Sequence, residues 1–148
     1  MFNVLATNHT SSDKVSDEIL TNLVSELNRN FNRMKITFTL STQDIYRYID
    51  PGDADLRRFT QHKRNYVDNS WNEQYMMREE FRHGGKETLH IYLLESIDRS
   101  DGKGRVNGFC YFPHTAGLDG CAIAYDTIGG VSHRDCDTTS RGTLTHEA

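Results

Sequence analysis

Residues 87–94, ETLHIYLL, form a continuous apolar run between turn signals. A strand with one wet face alternates polar and apolar residues. A run without alternation belongs to a strand covered on both faces, so the chain must supply a layer on each side of its sheet. FNVLA (2–6) reads as a second short buried strand. Between the two, VSDEILTNLVSELNRNF places Val15, Ile19, Leu20, Leu23, Val24, Leu27 and Phe31 at helical spacing. Ser16 is the expected N-cap, with Asp17 and Glu18 on the positive end of the helix dipole. Val15 and Leu20 flank that start as a hydrophobic staple would.

KITFTL (35–40) alternates Ile36, Phe38 and Leu40 with Lys35, Thr37 and Thr39, which predicts a half-buried strand. The stretch 41–69 is polar and broken by Pro51-Gly52, and reads mostly as loop. NEQYMMREEFRHGG predicts a second helix with Met77 and Phe81 on one face, closed by Gly84 or Gly85. DRSDGKGRVNG reads as a solvated turn. It imitates a calcium loop, but Lys103 stands where a loop starting at Asp98 needs glycine, which counts against a calcium site there. GFCYF and GCAIAY predict two more strands, and a Gly-rich loop leads through HRDCDTTSRGTLTHEA into a last helix. The order β-α-β-α-β-β-β-α gives an α/β fold with a sheet of about five strands in one domain, residues 1–148.

Composition excludes some functions. Seventeen basic against 21 acidic residues give a net charge of −4, without a basic stripe interleaved with aromatics, so nucleic acid is not an expected partner. No apolar run approaches the ~20 residues that cross a bilayer, so no membrane partner is expected. The opening MFNVLATNHT carries no leader pattern, so a signal peptide, if the protein is secreted, is expected upstream. Asn8 in the sequence NHT is a glycosylation acceptor in that case. Cys110, Cys121 and Cys136 are odd in number. Cys110 and Cys121 flank a short connection between adjacent strands, so a bridge between them is geometrically reasonable. Three buried free thiols in a cytosolic protein are the alternative.

The segment GTLTHEA (142–148) supplies the chemistry. A helix opening with His146-Glu147 after a βαβαβββ arrangement resembles the N-terminal subdomain of a metzincin zinc protease. More narrowly, the chain is similar to the pappalysin family in its cytophagalysin-type and fungal extracellular metalloprotease branch. The resemblance rests on FNVL, VSDEILTNLVSELNRNF, ITFTL, NSWNE, FRHGGKETLHIYLL, GFCYFP, DGCAIAY, IGG and GTLTHEA in that order. It implies a twisted mixed sheet with one antiparallel edge strand, a backing helix, a second helix and the start of the active-site helix. It implies, too, that residues 1–148 are the N-terminal part of a secreted zinc endopeptidase's catalytic domain, inactive without the C-terminal subdomain.

The family motif is H-E-x-x-H-x-x-G-x-x-H, of which only the first three positions occur here. Two His at i and i+4 share a helix face and reach one zinc ion, the Gly lets the chain turn to return a third His, and the fourth position holds water. Zinc acidifies that water and the adjacent Glu takes its proton as it attacks a peptide carbonyl. By this resemblance His146 is the first zinc ligand and Glu147 the general base, with the other ligands past Ala148. A structural Ca²⁺ is left open.

Gly108, Phe109, Cys110, Tyr111 and Phe112 occupy the place of the edge strand that pairs with extended peptide substrates by β-augmentation, although the strand could equally just complete the sheet. His9, His62, His83, His114 and His133 read as solvated, and His90 as a hydrogen-bonded core residue. HGGK (83–86) has the residue types of a phosphate loop without its spacing, so it reads as a helix stop. The competing function is a non-catalytic peptide-binding module on the same fold.

Overall fold

The computed structural model describes residues 1–49, 61–64, 71–99, 104–111 and 119–128; for 61–64, 71–75 and 98–99 it describes only the backbone path. Strand β1 (Phe2–Ala6) is followed by a short helix α1 (His9–Asp13) and the long helix α2 (Asp17–Phe31). A 3₁₀ turn at Thr42–Asp44 leads into β2 (Ile45–Ile49). Then come β3 (Gln61–Arg64), helix α3 (Trp71–Phe81), β4 (Ile91–Leu94), β5 (Ser96–Arg99), β6 (Gly108–Tyr111) and β7 (Gly120–Ala124).

The main sheet has the order β2-β1-β4-β7-β6. Its first four strands are parallel, and β6 alone runs antiparallel, against β7. A second sheet pairs β3 with β5 in parallel. The α/β class and the single antiparallel edge expected from the sequence are therefore present.

Register turns the sheet into rows. Ile45, Phe2, Ile91, Cys121 and Cys110 stand side by side across all five strands. Because side chains alternate along a strand, the neighbouring row of Tyr46, Asn3, Tyr92, Ala122 and Phe109 points to the opposite face. The first face packs on α2: Leu20, Leu23 and Leu27 join Phe2, Val4, Ile91, Leu93, Cys121 and Ile123 in one buried cluster. The second packs on α3, where Met77 and Phe81 join Leu5, Tyr92, Leu94, Phe109, Ala122 and Ala124. With a helix on each face, β1, β4 and β7 are buried at every residue, as their unalternating sequences require.

Helix α2 starts as expected. The Ser16 side chain accepts a hydrogen bond from the Ile19 N–H at 3.3 Å, Asp17 and Glu18 fill the first turn, and Val15 and Leu20 are both buried in the α2-side cluster. Asn8 caps α1 in the same manner, accepting from the Ser11 N–H at 2.9 Å. That short helix lies between β1 and α2.

Four expectations are corrected. KITFTL is not a strand: residues 36–41 run without ladder bonds, because the Asn28 carboxamide takes both backbone groups of Phe38. Its Nδ2 donates to the Phe38 carbonyl at 2.9 Å, and its Oδ1 accepts from the Phe38 N–H at 2.6 Å. The strand at the end of the sheet is instead β2, inside the supposed loop 41–69, and that stretch contributes β3 as well. Arg47 conceals β2 in the sequence, and its guanidinium is used outside the core, on Asp17 (2.5 Å) and the Ser12 carbonyl (3.1 Å). Of ETLHIYLL, only Ile91–Leu94 joins the main sheet. DRSDGKGRVNG is not wholly a turn, since Asp98 and Arg99 belong to β5. Glu95, between β4 and β5, accepts from both the N–H (3.0 Å) and the hydroxyl (2.7 Å) of Thr7, tying that bend to the end of β1.

Candidate functional site

Strand β6 closes the main sheet, and among the described residues no strand pairs on its outer side. The Ala124 N–H donates to the Asn107 carbonyl at 2.8 Å. Residues 107, 109 and 111 therefore turn their backbone groups inward to β7, and in an antiparallel ladder the alternate residues Gly108 and Cys110 turn theirs outward. An extended peptide laid along this edge would meet the N–H and C=O of those two residues. Phe112, the last residue expected in the edge, lies outside the described residues.

Cys110 and Cys121 are joined by a disulfide. They face each other at a non-hydrogen-bonded position, where antiparallel strands come closest, with their Cα atoms 4.1 Å apart. The bridge fixes the edge strand to its neighbour on the α2 side of the sheet.

The opposite side holds a polar assembly around Arg78. On that face β7 offers only Gly120, Ala122 and Ala124. By register, Tyr92 and Leu94 of β4, with His90 just before that strand, stand to one side of this low floor and Phe109 and Tyr111 of β6 to the other. Arg78 of α3 lies in the resulting trough, 0% exposed, with its guanidinium carbon 5.0 Å from the ring centres of both Tyr92 and Tyr111. Its Nη1 donates to the Asp119 carbonyl at 3.3 Å, while Nε and Nη2 have no hydrogen-bond partner among the described residues. Arg82, one turn further along α3, binds both carboxylate oxygens of Asp119.

The electrostatics follow from this enclosure. Burial lowers the Arg78 guanidinium to about 10, still charged at neutral pH, and raises the Tyr92 phenol to about 12. The hydrogen bonds from Arg82 hold the Asp119 carboxyl below its usual range. His90 is buried as expected but not hydrogen-bonded as expected: among the described residues neither ring nitrogen has a partner, and desolvation, followed by the Arg82 charge, lowers its pKa to about 4. His83, expected to be solvated, is half-buried; its Nε2 lies 2.8 Å from the Tyr48 hydroxyl, and its ring stacks on Tyr46 at 4.2 Å.

A signal for the assembly exists in the sequence. Met77, Arg78, Phe81 and Arg82 share one helical face by spacing, and GCAIA alternates small residues with larger ones. Two arginines on an otherwise core-facing stripe point to a buried polar contact.

Asn8 is exposed, so its carboxamide is accessible at the surface. His146, Glu147 and Cys136, together with His114 and His133, lie outside the described residues. Among the described residues, no group of three or more His, Cys, Asp or Glu is placed to hold a metal ion, so they do not by themselves form a zinc site. Nor, among them, is any helix long and apolar enough to cross a membrane.

No family model matches the chain. Two curated proteins are similar to it. An extracellular metalloprotease of Neurospora crassa is 29% identical over 139 residues, covering 88% of this chain and 41% of the relative. An extracellular metalloprotease of Podospora anserina is 28% identical over 151 residues, covering 97% of this chain and 44% of the relative. The chain thus spans less than half the length of these relatives.

Proposed function

We propose that residues 1–148 are part of the catalytic domain of a secreted zinc endopeptidase of the metzincin type, within the pappalysin-like branch. The observation that carries the proposal is the similarity, along 88–97% of the chain, to two fungal extracellular metalloproteases. Two features of the fold agree with it. An edge strand with outward backbone groups suits extended peptide or protein substrates. A disulfide in that strand suits an oxidising compartment, as does an exposed Asn8 available to a glycan.

In this proposal His146 contributes one zinc ligand, and the remaining ligands come from residues beyond 148. Glu147 acts as general base, taking a proton from the water that attacks the scissile carbonyl. The chain's described contribution is positional: it presents Gly108 and Cys110 in an extended line to which a substrate backbone can bond. Calcium has no assigned place.

The test uses the full-length protein. Casein cleavage abolished by a chelator and restored by zinc is expected. Glu147→Gln should keep the metal content and lower turnover by orders of magnitude, because the base is lost while the ligands remain. His146→Ala should lose both. Wild-type cleavage by the Gln variant would place the base elsewhere, and a full-length protein that binds peptides without cleaving them would point to a binding module.

A further inference from the structure

We infer that Arg78 is a positioning residue for the edge strand β6, acting through the ring of Tyr111 and the carbonyl of Asp119. Its burial is unusual. Among the described residues, this guanidinium with 0% exposure has two nitrogens without hydrogen-bond partners, and the carboxylate of Asp119 is bonded on both oxygens by Arg82. A buried cation held this way lowers stability relative to an apolar side chain of similar volume. Its contacts suggest what it does instead.

Tyr111 is the last residue of β6, and Asp119 immediately precedes β7. Arg78 therefore touches both ends of the β6–β7 connection, with Tyr92 of the sheet centre as the opposite wall. The disulfide holds the same strand pair from the other face, one residue further in. Between them, β6 is fixed in height and in register, and with it the outward groups of Gly108 and Cys110.

The two-ring geometry explains the residue type. The guanidinium carbon lies over both the Tyr92 and Tyr111 rings, 5.0 Å from each centre, while Nη1 reaches the Asp119 carbonyl. A lysine ammonium cannot make the same set of contacts.

The substrate half of this inference rests on the protease proposal, and the experiment separates the two. In the full-length protein, Arg78→Met is expected to keep or raise the melting temperature while amide exchange at residues 109 and 111, which face β7, accelerates. KM for a peptide substrate should rise about tenfold with kcat unchanged, the equivalent of about 1.4 kcal/mol. Tyr111→Leu, which removes the ring and leaves Arg78, should produce the same exchange and KM effects. Tyr92→Phe keeps the ring face and should behave as wild type.

A wild-type protein without peptidase activity would refute the protease proposal and leave the exchange result to decide the role of Arg78. Unchanged exchange at 109 and 111 in both variants, or unchanged KM in an active enzyme, would overturn the positioning role. So would a fall in melting temperature in Arg78→Met without any change in exchange at β6, which marks a merely structural residue.

Discussion

Gly120 is expected to be the least replaceable glycine among those described. Its φ is +110°, where a side chain is strained, and a Cβ built on it would lie 2.5 Å from the His90 carbonyl oxygen and 3.0 Å from the His90 Cβ. That carbonyl is the one that accepts the Cys121 N–H at 2.8 Å, so it cannot retreat without opening the β4–β7 ladder. Left-handed strain contributes roughly 1–2 kcal/mol, and displacing packed backbone about 1–3 more. Gly120→Ala should therefore cost about 2–5 kcal/mol, the sum of those two effects.

Gly84 has a φ of +90°, but its added Cβ would meet the side chain of Thr88, with the nearest atom at 2.7 Å. A threonine rotamer can move, so Gly84→Ala should cost about 2 kcal/mol, mostly strain. At Gly85 nothing lies within 4 Å, and Gly85→Ala should be neutral or stabilising by about 0.5 kcal/mol through the unfolded chain. Urea denaturation of the full-length protein, followed by tryptophan fluorescence, reads all three on one scale. A Gly120→Ala variant within 1 kcal/mol of Gly85→Ala, a margin comparable to one net hydrogen bond, would refute the tight approach of β4 to β7.

Replacing Cys110 and Cys121 together by alanine should cost about 3 kcal/mol, the loop-closure value for a separation of 11 residues, and is checked by the same titration. Asn28→Ala removes both bonds to the Phe38 backbone; a loss of about 1–2 kcal/mol is expected, with faster amide exchange confined to residues 36–41. His90 has a folded pKa near 4 against an ordinary 6.5, so the folded protein excludes a proton that the unfolded chain accepts. Its stability contribution is complete above pH 6.5 and is lost as the pH falls from 6.5 toward 4. His90→Gln should flatten that part of a stability–pH curve, and an unaltered curve would show that another group titrates there.

Much of the fold follows from local rules. Helix α2 combines an apolar stripe, a Ser cap and an acidic first turn, so packing, capping and electrostatics agree. The strands β1 and β7 are legible because burial on both faces leaves unbroken apolar runs. The Cys110–Cys121 bridge is legible because two cysteines flank a connection between neighbouring strands. What local rules miss is decided across long distances. Nothing within KITFTL tells that Asn28, ten residues earlier, takes the Phe38 backbone and leaves the sheet position to IYRYI. Arg47 looks like a loop residue until Asp17 and Ser12 are brought to it. The candidate site divides the same way: the edge strand can be read from the sequence, whereas the Arg78 trough exists only once β4, β7 and β6 lie side by side. The proposed His146-Glu147 chemistry rests on residue types in the sequence alone.

The strand order sets a timetable for synthesis. Strand β1 is translated first and finds β2 on one side after some forty residues, yet its other neighbour, β4, pairs Ile91 with Phe2. At translation rates of roughly 5–20 residues per second, the open side of β1 waits on the order of several seconds for that partner. The half-built sheet of β1 and β2 on α2 carries a free edge through that interval, with Phe2, Val4 and Leu5, all wholly buried in the finished fold, beside it. The edge strand waits in its turn, since β6 is made before β7, the strand that joins it to the sheet. A nascent chain with two unpaired strand edges is most open to aggregation before residue 124 has emerged, and that is when a chaperone would matter most to its yield.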